Sequence, residues 1–132
     1  MLITKKIKTS SREEILDITG EIQNVIRESS IQNGICLVYI PHTTCAVTIN
    51  ENADSDVKRD ILYWLKKHIP QNDDFHHAEG NSDAHIKTLM SGQSVQLIIE
   101  NSKPILGTWQ GIYFCEFDGP RNRNYFVKII NG

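Results

Sequence analysis

Apolar residues recur along this chain in two rhythms, one of period two and one near 3.6, and their changeovers mark out its elements. Residues 2 to 9 alternate, with Ile3 and Ile7 set among Thr4, Lys5, Lys6 and Lys8, as in a half-buried strand. Ser11 and Glu14 have the spacing of a capping box. Ile15, Ile18, Ile22, Val25 and Ile26 then trace one helical face to about Glu28, and Asn33-Gly34 turns the chain. Gly34 to Pro41 is a nearly unbroken apolar run, expected of a buried strand that stops at a proline. Cys45 to Glu51 resumes the alternation. Val57, Ile61, Trp64, Leu65 and His68 give the inward stripe of a second helix, with Asp54 and Asp56 suited to its dipole and Pro70 closing it. Ser82 is the expected N-cap of a third helix, where Ile86, Leu89 and Met90 recur at helical spacing until Gly92. Ser94 to Glu100, Ile105 to Phe117 and the YFVKII segment read as strands.

The expected order is β-α-β-β-α-α-β-β-β. Short connections between neighbouring strands imply a mainly antiparallel sheet. Separate helix blocks, about three helices in all, place the chain in the α+β class as a single domain over residues 1–132. Trp109 and Tyr113, on the long apolar strand, suggest that part of it faces a subunit partner.

Composition narrows the function classes. The 14 Lys and Arg against 16 Asp and Glu form no basic run, which argues against nucleic-acid binding through phosphate neutralisation. No stretch has the length or apolarity of a membrane span or a signal core. Three cysteines (Cys36, Cys45, Cys115) without a CxxC pair argue against a disulfide framework, so a reducing, cytoplasmic setting is expected.

Candidate chemistry concentrates in three segments. In FHHAEGNSDAHIKTLMSG, His76, His77 and His85 lie beside Glu79, Asn81 and Asp83. With Ser82 as cap, His85 falls at the third helical position, where the dipole disfavours imidazolium and leaves a neutral metal ligand or base. His77 and His85 suit a borderline metal such as zinc, with Glu79 as third ligand or outer partner. The alternative is a polar loop with solvated histidines. In PHTTCAVTINENADSD, His42 sits at a strand end, Thr43 and Thr44 offer hydroxyls, and Asn50, Glu51 and Asn52 precede a helix N-terminus able to hold phosphate. Glu51, Asp54 and Asp56 would repel that anion unless a cation intervened; the simpler reading is that Asn52 or Asp54 caps the helix and the acids suit its dipole, and for Asp56 it is preferred. Cys45 beside His42 has the makings of a nucleophile and base, but alternation places it in a core. In WQGIYFCEFDGPRNR, Gln110 and Glu116 are polar positions in an apolar strand and need partners. Arg121 and Arg123 are a phosphate clamp or, on the plainer reading, solvated turn residues, a reading that suits Arg123 better than Arg121.

The strings HTTCAVTINENADSDVKRD, HHAEGNSDAHIKTLMSG and LGTWQGIYFCEFDGPR, in this order, resemble the YjbQ-like family, also called the secondary thiamine-phosphate synthase family. The resemblance covers nearly the whole chain. It implies a compact α+β protein that assembles as a homotrimer with its site near the subunit boundary, and a weak thiamine-phosphate synthase activity. The family's polar pattern falls on His42, Thr43, Thr44, Asn50, Glu51 and Asp54, on His77, Glu79, Gly80, Asn81 and His85, and on Gln110, Glu116 and Arg121. His76 lies outside it, and Cys45 stands where the family often has a small residue. The expected function is that of a metal-assisted enzyme joining a pyrimidine pyrophosphate to a thiazole phosphate. His42, His77 and His85 would hold a divalent ion, zinc or magnesium. His42, Glu51, Glu79 and Asn81 would act in catalysis, and Thr43, Thr44, Asn50, Gln110 and Arg121 would meet the phosphorylated substrate. The competing expectations are a non-catalytic binder of a phosphorylated metabolite or metal, and a metal-dependent hydrolase.

Overall fold

In a computed structural model, which describes residues 2–132, the alternating segments resolve into two antiparallel sheets. The first runs β1-β8-β3-β5-β6, from β1 (Leu2–Lys8), β8 (Asn122–Asn131), β3 (Gly34–Tyr39), β5 (Ser94–Glu100) and β6 (Lys103–Pro104). The second runs β2-β7-β4, from β2 (Glu14–Asp17), β7 (Gln110–Glu116) and β4 (Cys45–Glu51). Because alternate side chains share a face, Cys36, Val38, Leu97, Ile99, Tyr125 and Val127 of the first sheet meet Cys45, Val47, Ile112 and Phe114 of the second. Helix α1 (Thr19–Glu28) adds Ile22, Val25 and Ile26 to this core. The other face of the second sheet carries Ile15, Ala46, Tyr113, Cys115 and Phe117. It packs on Leu65 of α2 (Ser55–His68) and Ala84 of α3 (Ser82–Ser91), so the expected α+β architecture holds.

Three elements differ from the sequence reading. The first helix begins at Thr19, and the residues before it form β2, whose Ile15 and Leu16 turn to opposite faces of the sheet. Ile15, Ile18 and Ile22 fit either period, and pairing with β7 decides between them. The supposed capping box is a turn, in which the Glu14 carboxylate accepts from the Ser10 N–H and hydroxyl at 2.6 and 3.0 Å. The long strand from Ile105 breaks at a turn, where the Gln110 side chain accepts from the Gly107 N–H at 2.8 Å. Trp109 is thereby exposed while Tyr113 is buried.

Helix α3 is turned over relative to its apolar stripe. Leu89 is 83% exposed and Met90 is also exposed, whereas Asp83 and Lys87 are fully buried. The inward charges are neutralised by the segment before β2. Arg12 holds Asp83 through a bidentate pair at 3.0 Å on each oxygen, and Lys87 Nζ donates to Asp83 at 2.9 Å and to Glu13 at 2.8 Å. Burial alone would raise the Asp83 carboxyl, but these hydrogen bonds outweigh it and hold it below the ordinary carboxylate range. Asp54 caps α2, accepting from the Asp56 N–H. Of the expected α2 stripe only Leu65 is buried, and Trp64 lies exposed with His68 tilted against it.

Removing Lys87 leaves a buried carboxylate short of a partner, so Lys87→Met is expected to cost about 3 kcal/mol in urea unfolding. A carboxyl held low in the folded state contributes stability above its unfolded pKa and loses it as pH falls through the folded value. For Asp83 the loss starts near the ordinary value of 3.8. Urea midpoints of the wild type are therefore expected to drop between about pH 5 and pH 3, and those of Asp83→Asn to drop less.

Candidate functional site

Glu116 and Arg123 face each other from the two sheets, inside the sandwich. Arg123 Nε and Nη2 donate to the two Glu116 oxygens at 2.9 and 2.5 Å, and both residues are buried. Nη2 also reaches Thr44 Oγ1 at 2.8 Å, and Thr9 Oγ1 donates to Glu116 at 2.8 Å. Burial would raise the Glu116 carboxyl, but Arg123, the Asp118 N–H and Thr9 hold it below the ordinary range. The turn after β7 closes this end, and a side chain at Gly119 would overlap the Ser11 carbonyl. Period two marks Glu116 as an inward polar group, but the Asp-Gly-Pro turn made Arg123 look solvated. The exposed arginine is Arg121, whose guanidinium grips the Asp118 carbonyl and carboxylate at 2.7 Å each.

His42 lies beside this pair, its Nε2 accepting the Asn124 N–H at 3.1 Å. That bond places the imidazole proton on Nδ1. Burial lowers the His42 pKa and the Arg123 charge lowers it further, so the ring is neutral at pH 7. Thr44 is committed to Arg123, and Thr43 is exposed. The thiols are inert: burial pushes Cys45 and Cys115 up to about 12 and Cys36 to about 11.

Around the start of α3, Asn81 occupies the N-cap position without capping, which moves His85 one place further into the helix than expected. Asn81 Nδ2 donates to Asp118 at 2.8 Å, and its buried Oδ1 has no partner. His77 and His85 stand edge to face with ring centroids 5.7 Å apart, and exposed Glu79 lies 3.7 Å from His77 Nε2. His42 is tied to β8 by a ring nitrogen that a metal would need. Among the described residues no three His, Cys, Asp or Glu side chains form a ligand group. The side chains present therefore do not compose the expected three-histidine metal centre.

The remaining candidates gather elsewhere. Asn50 and Glu51 border a cleft of about 270 Å³ on the outer face of the second sheet, beneath α2 and the end of α3. Its floor includes Ile15, Ile61, Leu65, Cys115 and Phe117, and its rim adds Thr48, Lys58, Met90 and Ser91. Glu51 turns its carboxylate to the N–H groups of Ala53 and Asp54 at the entry to α2. Lys58 Nζ stands 5.6 Å from the centre of the Tyr113 ring, whose hydroxyl donates to the Glu51 carbonyl at 3.0 Å. Sequence reasoning missed Thr48, Lys58 and Tyr113, although the alternation Ala46-Thr48-Asn50 already shared one strand face. A wider groove of about 660 Å³ runs from Ser11 to Asn72, but its Arg12 and Glu13 belong to the network around Asp83.

Nitrogen-resolved histidine spectra are expected to show His42 as the Nδ1–H tautomer with a pKa below 6.5. A value above that, or an Nε2–H tautomer, would remove the Asn124 contact as the feature fixing this ring.

Comparison with known proteins bears on this geometry. UPF0047 protein MJ1081 of Methanocaldococcus jannaschii is 56% identical over 130 residues, covering 98% of this chain and 94% of the relative. An uncharacterized conserved protein of the yjbq/upf0047 family from Clostridium acetobutylicum superposes with a TM-score of 0.95 at 55% identity, covering 97% of this chain and 99% of that one. A YbjQ-like protein of unknown function from Sulfolobus solfataricus also reaches 0.95, at 30% identity, covering 100% and 97% of the two chains. None of these descriptions carries an activity. The expected metal-assisted thiamine-phosphate synthesis is corrected accordingly, and with it the metal-dependent hydrolase. The family model for the UPF0047 protein YjbQ-like family matches residues 3–132, and the chain belongs to that family.

Proposed function

We propose that this protein binds a small, unphosphorylated organic molecule in the cleft between α2, α3 and the outer face of β4 and β7, and that it does so as a homo-oligomer. The cleft carries this reading. An apolar floor with a few converging polar groups is the general form of a small-molecule site, and about 270 Å³ suits a ligand below drug size. Several groups that acid–base or nucleophilic catalysis would use are committed to structural contacts. Glu116 and Thr44 are held by Arg123, Glu51 caps the entry to α2, and the cysteine thiols stay protonated. Among the described residues no helix is long and apolar enough to cross a membrane.

Two unlike apolar faces support self-assembly. On the outer face of the first sheet, Ile130, Ile35 and Ile98 pair across neighbouring strands and Ile105 extends the row, all exposed. On the opposite side of the molecule Trp64, Leu89 and Met90 are exposed on α2 and α3. Unlike faces meet head to tail, and such contacts form a ring where the rotation between copies closes, the trimer implied by the family resemblance being one such ring. Met90 belongs to both the helical face and the cleft, which brings the ligand site beside a subunit boundary.

Native mass spectrometry of the purified protein is expected to show an oligomer carrying a small organic molecule that Thr48→Trp, with an indole in the cleft, no longer retains. A phosphorylated ligand, or one kept by Thr48→Trp, would point away from this cleft. Leu89→Asp and Ile98→Lys are each expected to lower the sedimenting mass, and a monomeric wild type would end the oligomer reading.

A further inference from the structure

We infer that the ligand of this cleft is a small monocarboxylate with an aryl or short alkyl body, held by Lys58; this rests on the cleft reading above and adds the ligand class. The rim carries the Lys58 ammonium and the Asn50 amide as donors, with hydroxyls that donate or accept. Asn50 Oδ1 already accepts the Glu51 N–H at 2.7 Å, so its two amide hydrogens are what it offers a ligand. Thr48 and Ser91 supply hydroxyls. The Tyr113 hydroxyl is spent on the Glu51 carbonyl, and Glu51 Oε2 is spent on two backbone N–H groups.

Lys58 completes the donor set. It takes part in none of the ion pairs among the described residues, although it sits on a helix that begins with Asp54 and Asp56. Its ammonium lies instead over the Tyr113 ring, at the mouth of an apolar cavity. An ammonium so placed, outside any ion pair and beside the Asn50 amide, is available to an anionic acceptor brought by a ligand. A carboxylate provides two acceptor oxygens for Lys58 and Asn50. The attached apolar body then covers Ile61, Leu65, Cys115 and Phe117. An amine would instead meet the Lys58 charge, and a neutral molecule would leave the donors unmatched.

The test is titration of the intact protein with benzoate, phenylacetate and hexanoate, and with benzyl alcohol and benzylamine, followed by amide and methyl NMR shifts and by calorimetry. The carboxylates are expected to shift Thr48, Asn50, Ile61 and Met90 and to bind about tenfold more tightly than benzyl alcohol. Lys58→Met, which keeps the length of the side chain, is expected to weaken the carboxylates by about tenfold and leave benzyl alcohol within about twofold. Lys58→Arg is expected to restore most of the loss. Benzyl alcohol or benzylamine binding in the cleft as tightly as benzoate, or a carboxylate affinity untouched by Lys58→Met, overturns the carboxylate assignment while leaving the cleft as a ligand site. No shift at the cleft with any of these probes overturns the cleft reading as well. Lys58 is exposed enough for both variants to fold, and unchanged urea midpoints check this.

Discussion

One ion pair spans the interior of this protein. Glu116 on β7 and Arg123 on β8 belong to different sheets and to the two ends of a single turn, so their contact fixes the spacing of the sandwich and the path of the chain at that end. The pair is buried, and its geometry explains why it is tolerated: two nitrogens meet two oxygens, while Thr9, Thr44 and the Asp118 N–H take the remaining hydrogen-bonding capacity. Without those partners the desolvation of two charges would exceed their attraction. His42 is oriented against the same strand that carries Arg123, so the expected catalytic histidine is a neighbour of a structural device.

A second polar device repeats this logic outside the sandwich. Arg12 and Glu13, in the connection before β2, reach over to Asp83 and Lys87 and hold α3 by charge where a helix of this size is ordinarily held by apolar packing. The consequence is an apolar face turned outward and a cleft roofed by the end of α3. The proposed ligand site and the proposed assembly surface thus both follow from which face of one short helix is buried.

The strand alternation and the positions of the helices were legible because burial of one face imposes the period directly. The orientation of α3 was not. Asp83 and Lys87 are inward only because partners about seventy residues away neutralise them, and no local pattern encodes that pairing. Strand β2 was hidden by isoleucines that satisfy both periods, and its pairing with β7 is a long-range fact. At the site, Glu116 was recognisable as an inward polar group, but Arg123 was hidden by the turn it follows. The histidine-rich segment drew attention through its composition and its place at a helix start. Folded, it brings His77 and His85 to one another and leaves His42 engaged with β8. Lys58 carried no local signal, since a lysine on an amphipathic helix is ordinary until the cavity beside it is seen.

The position of β8 in its sheet also sets an order of events during synthesis. It lies between β1 and β3, which do not pair with each other. On the ribosome, therefore, β1 waits without a hydrogen-bonding neighbour until residues 122–131 have emerged, and the Arg123 partner of Glu116 arrives with the same segment. Nascent chains stalled before that point would hold β3 and β5 as an open-edged pair and Glu116 as an uncompensated charge. The fold is thus closed by a late strand that enters the middle of the sheet, and a translating chain of this kind depends on keeping its unpaired edges soluble until then.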